Sequence, residues 1–329
     1  DAILEKTGAR GMPRFLLDSG DLTGQGEHET DFYNEQFFDP AAELLKQVCY
    51  FPVIGNHESY RRHPRIPFRY LDYFSVPTHN SGTEYYYSFD FGNAHFTMID
   101  VYATDFSTGS KQWEWIKQDL KESDAKWKFA AMHYPIFVER VKPNVTYGNM
   151  AVREHLVPLF EEYGVTAVFS GDSHFYQRSE VNNIHYVCSG GGGAPLYTPG
   201  NNKDYVRASK SVYHYVWVKM DGETMTCYTY DPENELIDKF STGNRVAVTP
   251  TPVPTNFERR LPSEEMRPSE VLIIESRGPE GELTGEPAYK EISGMMSSSV
   301  KSAAPGLKGT GTRFSDNLAA DGKVVLTPP

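Results

Sequence analysis

Apolar and polar positions along this chain fall into two rhythms. Arg14-Phe-Leu-Leu-Asp18, Phe51-Pro-Val-Ile54, Trp127-Lys-Phe-Ala-Ala-Met132, Thr166-Ala-Val-Phe-Ser170 and His185-Tyr-Val-Cys188 are short, nearly continuous apolar runs. Their length and composition predict buried strands. Other segments carry a helical period. Leu44, Leu45 and Val48 share one face of Ala41 to Val48, and Trp113, Ile116 and Leu120 share one face of Lys111 to Lys121. Glu154 to Tyr163 and Asp1 to about Thr7 also read as helices. Glu84 to Phe91 and Ala94 to Asp100 read as a hairpin about Gly92-Asn93, and Tyr213 to Met220 with Met225 to Tyr230 as an antiparallel pair about Asp221-Gly222. Strand, loop and helix alternate, so the pattern predicts an α/β layered domain over residues 1–241.

The predicted strands end in polar tips. The first runs into Ser19-Gly20-Asp21, the next into Gly55-Asn-His-Glu58, the third into His133-Tyr-Pro135 and the fourth into Gly171-Asp-Ser-His174. Gly55 releases the backbone so that Asn56, His57 and Glu58 crowd one point. Carboxyl ends of neighbouring strands converge along one sheet edge, so these tips are expected to build one site.

After residue 241 the pattern changes. Residues 242–270 are Pro-rich, with Thr249-Pro-Thr-Pro-Val-Pro254, and read as a linker. Residues 271–329 begin with Val271-Leu-Ile-Ile-Glu275 and continue as short strand-like stretches between Ser, Gly and Thr turns. So short a unit makes a thin core, and a partial β-rich module is expected there.

Composition narrows the function. The chain has 329 residues, 44 acidic against 32 basic, for a net charge of −12. That balance is the reverse of what a nucleic-acid scaffold binder needs. No apolar run reaches the length of a membrane span. Cys49, Cys188 and Cys227 have no metal-binding spacing and read as small hydrophobes. Asp1-Ala-Ile-Leu-Glu-Lys-Thr reads as mid-helix rather than a natural start, so a processed chain or fragment is expected.

Asp21, Asn56, His57, His133, Asp172 and His174 are the candidate chemistry. Carboxylate oxygen, amide oxygen and neutral imidazole are what hard and borderline metal ions take. Asp21 has two oxygens with which to bridge two ions, and Asn56 adds oxygen without charge. Two ions hold a phosphate ester and lower the pKa of a bound water. His57 would stand just outside the pair and protonate the leaving oxygen, with Glu58 orienting or tuning it. Each piece alone has a plainer reading, as a turn, a helix cap or a core histidine; their order at four strand ends favours a site. The chain has no Gly-x-Ser-x-Gly elbow for a serine hydrolase. Arg61, Tyr134, Tyr176 and Arg178 are candidate substrate contacts, although solvated arginines and core aromatics are the plainer reading.

Gly20-Asp21, Gly55-Asn-His-Glu58, His133 and Gly171-Asp-Ser-His174, in that order, resemble the calcineurin-like metallophosphoesterases. Gln112-Trp-Glu-Trp115, His133-Tyr-Pro135 and Gly190-Gly-Gly-Gly-Ala-Pro-Leu196 are similar to the purple-acid-phosphatase branch and its bacterial relatives. The resemblance implies a four-layer α/β/β/α sandwich lacking its first strand, which would carry an Asp-led ligand motif. It implies two divalent or trivalent ions (iron, manganese, zinc or calcium) and hydrolysis of phosphate monoesters or diesters by a metal-bound hydroxide. Asp21 would bridge the ions, Asn56, His133 and Asp172 would hold one, His174 would help hold the other, and His57 would be the acid. Gly24 stands where the purple enzymes carry a tyrosine, so an iron–tyrosinate colour is not expected. Asp172 stands where most members have histidine, as in the alkaline phosphatase D type. The alternative is a fold that binds without catalysing, as part of a secreted multidomain protein. Tyr289-Lys-Glu-Ile-Ser-Gly294 and Gly309-Thr-Gly-Thr-Arg-Phe314 resemble the start of a golvesin-like β-sandwich of bacterial secreted proteins. That resemblance implies an extracellular or periplasmic protein with attachment to glycan or the cell surface.

Overall fold

The computed structural model describes residues 2–24, 33–58, 69–141, 150–243 and 324–325. Helix α1 (Ala2–Arg10) leads into β1 (Phe15–Asp18), and α2 (Asp39–Leu45) into β2 (Cys49–Pro52). After the two-residue β3 (Phe74–Ser75) come β4 (Tyr87–Phe91), β5 (Ala94–Met98), α3 (Lys111–Glu122), β6 (Trp127–Ala131), α4 (Met150–Glu162) and β7 (Ala167–Ser170). Then follow β8 (Tyr176–Val181), β9 (Ile184–Ser189), β10 (Val206–Lys210), β11 (Tyr215–Asp221), β12 (Thr224–Tyr230) and β13 (Leu236–Gly243).

One sheet has seven strands in the order β10-β8-β9-β7-β6-β5-β4. Its centre, β5, β6, β7 and β9, is parallel. Parallel strands covered on both faces need apolar residues at every position, and every residue of β5, β7 and β9 is buried. The side chains alternate between two cores, as a pleated strand requires. Phe129 and Ala131 join the core that holds β1, β2, β11 and β12. Ala130 and Met132 join the one beneath α3 and α4, with Ile116, Leu120, Leu156 and Phe160.

The second layer of strands holds the parallel pair β1–β2 and the antiparallel β11-β12-β13. Phe51 stacks on Phe89 of the large sheet, and Phe15 meets the same ring edge to face. Tyr50, the next residue along β2, packs instead on Phe37 just before α2. The result is the expected α/β/β/α arrangement. Among the described residues β1 pairs only with β2, and β11 only with β12. Residues of both strands, including Phe15, Leu17, Val216 and Val218, line an apolar cavity of about 410 Å³.

Three strands escape the apolar-run pattern. β8, β10 and β13 are polar, and β10 and β13 are largely half-exposed. Their pairing with β9, β8 and β12 supplies the strand state that composition does not. Helix α4 begins at Met150, earlier than Glu154, and runs through Pro158. The last described strand reaches Gly243, just past the expected boundary at 241. Apart from residues 242–243 and 324–325, the expected linker and the golvesin-like module lie outside the described residues. No helix among the described residues is long and apolar enough to cross a membrane.

Candidate metal centre

The polar tips converge because parallel strands carry their carboxyl ends to the same edge. β1 and β2 run parallel in register, Asp18 opposite Pro52, so Ser19-Gly20-Asp21 and Val53 to Glu58 leave side by side. The two turns touch at their glycines. A Cβ on Gly20 would stand 2.6 Å from the Gly55 nitrogen and 3.1 Å from His133 Nδ1. A Cβ on Gly55 would overlap the Asp21 carboxylate and amide. Only a bare backbone permits this approach. Asp21 and Asp172 both occupy the left-handed region, at φ 60° and 59°, a conformation that costs a non-glycine residue about 1–2 kcal/mol. Such local strain clusters at functional sites.

Glu58 ties the turns together. It is fully buried, and its Oε2 accepts the Asp21 and Gly55 amides at 2.7 and 2.8 Å while Oε1 accepts that of Leu22 at 2.8 Å. Its carboxylate hydrogen bonds are to these backbone amides, so direct orientation of the His57 ring is corrected to support of the turns that carry Asp21 and His57. Glu58 is a positioning residue for the Asp21 turn. Burial and the Asp21 charge beside it push its pKa up to about 8, against the pull of the amides.

Asp21 divides its two oxygens. Oδ1 accepts the His57 amide at 2.7 Å, and Oδ2 lies 3.3 Å from His133 Nε2 and 3.9 Å from His57 Nε2. His133 Nε2 is also 2.9 Å from Asn56 Oδ1 and 3.8 Å from Asp172 Oδ1. One imidazole nitrogen therefore faces oxygens of Asp21, Asn56 and Asp172. The three histidines share one device. His57, His133 and His174 each place Nδ1 2.7 Å from a backbone carbonyl, of Gly24, Ser19 and Pro195 respectively. With Nδ1–H donating, the carbonyl fixes the tautomer and ring orientation and leaves Nε2 for other chemistry, as in metal-ligating histidines.

The electrostatics fit a buried cation. Burial opposes charge on His133, yet the Asp21 charge and hydrogen bond, then Asp172, outweigh it and raise its pKa to about 10. Burial likewise opposes charge on Asp21, but His133 and His57 lower its pKa. Asp172 is pushed up to about 6, chiefly by burial, and burial brings His174 down to about 4. Positive charge at His133 thus offsets the two carboxylates, as a metal ion among the same donors would. Among the described residues no three His, Cys, Asp or Glu side chains already form a metal cage. The cluster instead closes on itself through the His133–Asn56 contact. In donor type, two carboxylates, an amide oxygen and imidazole nitrogen, it fits a hard or borderline ion.

The expected substrate contacts separate. Tyr134 is half-buried beside Tyr102 and His133. Tyr176 is fully buried and donates its hydroxyl to Asp238 at 2.7 Å. Arg178 pairs with the same carboxylate at 2.7 Å and lies over Phe240. Both are corrected to packing residues between β8 and β13, because outward or inward direction on a strand depends on a register that sequence does not display. Arg61 lies outside the described residues. Tyr197, stacked on His174, and Arg140, over the Tyr197 ring, escaped sequence reasoning. They are an ordinary cation and aromatic with no motif around them.

A family model described as calcineurin-like phosphoesterase matches residues 1–176. Purple acid phosphatase 23 of Arabidopsis thaliana is 32% identical over 186 residues, which cover 54% of this chain and 39% of that protein. Purple acid phosphatase 15 of the same plant is 31% identical over 143 residues, covering 41% of this chain and 26% of that one. The chain thus spans well under half the length of these curated relatives. A purple acid phosphatase from yellow lupin (Lupinus luteus) seeds superposes with a TM-score of 0.62 at 19% identity, covering 78% of this chain and 52% of that chain. GAP50, described as the anchor in the inner membrane complex of Plasmodium, gives 0.57 at 14%, covering 75% and 84%. At those identities the likeness is one of fold.

Proposed function

The chain belongs to the calcineurin-like phosphoesterase family, and from that premise we propose that it is a metal-dependent hydrolase of small phosphate esters. The observation that carries the reading is the shared anchoring of three imidazoles. Each Nδ1 is held by a backbone carbonyl, and the Nε2 atoms of His57 and His133 turn toward Asp21.

Asp21, Asn56, His133 and Asp172 would hold one ion, with His174 and the second Asp21 oxygen serving another. Manganese, iron, zinc or calcium ions in this donor set would position the ester and lower the pKa of a bound water. The chain's own residues supply the rest. The Asp21 turn is fixed by Glu58, so ligand geometry is set before the substrate arrives. His57 is held at Nδ1 by Gly24 and is assigned, in its doubly protonated form, to deliver the Nε2 proton to the leaving oxygen; burial lowers its pKa, so that form belongs to acid solution. Placement outside the cytoplasm rests on the tail resemblance alone.

Elemental analysis of the purified chain tests this, beside hydrolysis of p-nitrophenyl phosphate and its bis ester with each of the four metals. Metal uptake with hydrolysis that a chelator abolishes supports the hydrolase. Uptake of none of the four metals would sink it.

A further inference from the structure

The Tyr197 ring lies flat on the His174 imidazole, with centroids 3.8 Å apart and planes within 9°. The Arg140 guanidinium carbon lies 3.1 Å from the centre of the same ring. Two groups that close to one centroid cannot share a face, so tyrosine is sandwiched between histidine and arginine. A guanidinium stacked on a ring keeps its N–H donors at its edge, and their fork suits paired bonds to an oxyanion.

The platform is rigid. Arg140 forms an antiparallel bridge with Pro199. The Val141 amide donates to Thr198 at 2.9 Å, and the Gly200 amide to Glu139 at 2.8 Å. Gln177 laces the two segments, accepting the Glu139 amide at 2.6 Å and donating to the Gly200 carbonyl at 2.7 Å. The Tyr197 amide donates to the His174 carbonyl at 2.8 Å, and His174 Nδ1 to that of Pro195. A half-buried arginine is thereby held beside the ligand turn 171–174 with little side-chain freedom left to lose on binding. Through Tyr197 the guanidinium stands one ring away from His174, on the turn that also carries Asp172.

A phosphate monoester dianion brings three non-bridging oxygens and two charges. A diester brings two oxygens and one charge. We propose that Arg140, mounted on Tyr197, is a specificity-determining residue that binds the additional anionic oxygen of a monoester and so favours monoesters over diesters. The proposal rests on the phosphoesterase reading of the neighbouring ligands.

The test is calorimetric binding of inorganic phosphate and of diethyl phosphate to the manganese-loaded full chain, with metal content measured in parallel. In Arg140→Met, phosphate binding is expected to weaken by about tenfold or more, and diethyl phosphate binding by less than about threefold, with metal content unchanged. Arg140→Lys should recover part of the loss. Tyr197→Leu, which keeps the charge but removes its platform, should reproduce the loss of selectivity. Equal weakening of both ligands, no weakening, or loss of metal in Arg140→Met would overturn the proposal. If the wild type takes up metal and hydrolyses p-nitrophenyl phosphate in those cases, the phosphoesterase reading stands. If the wild type binds neither metal nor phosphate, both fall.

Discussion

Glu58 accepts the backbone amide of Asp21, 37 residues earlier in the chain, at 2.7 Å. The same carboxylate takes the amides of Leu22 and Gly55. In Glu58→Gln the side-chain nitrogen turns a donor toward a backbone donor. A buried group left without a partner costs about 1–3 kcal/mol. Urea denaturation should show a loss of that size, and metal retention should fall with it because Asp21 is displaced. Unchanged stability and metal content would remove Glu58 from its positioning role.

The proposed roles of His133 as ligand and His57 as acid can be told apart. His133→Ala should lower metal affinity by about tenfold or more, since Nε2 faces all three oxygen donors. His57→Ala should keep its metal and lose about 10²–10⁴-fold in turnover. Equal metal content and equal rates in both variants and the wild type would refute the assignment.

Gly55→Ala tests the close approach of the two turns. Its Cβ would meet the Asp21 carboxylate and amide, neither of which is the loose end of a flexible chain. Overpacking of this kind costs about 1–3 kcal/mol. Thermal denaturation should show it, whereas the same change at Gly109, where the Cβ meets nothing within 4 Å but φ is +85°, should cost only the smaller left-handed penalty.

A stability effect of pH is expected far from the metal centre. His95 lies between Asp119, at 2.9 Å, and Asp90, at 2.7 Å. Burial opposes its charge, but bonding to Asp119 and then Asp90 wins, and its pKa is raised. A raised folded-state value means the contribution is complete below the unfolded pKa of about 6.5 and fades as pH rises through the folded value above it. Wild type should therefore exceed His95→Gln by about 1–3 kcal/mol near pH 6, with a gap that narrows in alkali. A gap that widens with pH would contradict the ion pairs.

Thiol titration checks the core. Cys188 and Cys227 are buried, and burial raises both pKa values well above the usual thiol range, whereas Cys49 is only partly buried. A native-state disulfide-exchange reagent should modify Cys49 first and leave the other two until unfolding. Three equally fast thiols would contradict the packing.

The apolar strand runs ending in Gly20-Asp21, Asn56, His133 and Asp172 were legible because burial on both faces writes itself as uninterrupted hydrophobicity. Polar β8, β10 and β13 were not, because neighbours rather than composition make them strands. Tyr176 and Arg178 illustrate the same gap within the site. Their types suit a phosphate pocket, and the register of β8 against its neighbours sends them to Asp238 instead.

By itself the sequence determined the layered α/β class, the order of the strand-end tips and the residue types available to hold a metal. Those properties are local: periodicity, glycine at a turn, a donor atom on a side chain. Only the tertiary structure decided that Glu58 binds backbone and not His57, that three imidazoles are anchored alike at Nδ1, and that Arg140 reaches His174 through Tyr197. Each of these joins residues distant in the chain through contacts of a few ångströms, and such distances exist only once the sheets have packed.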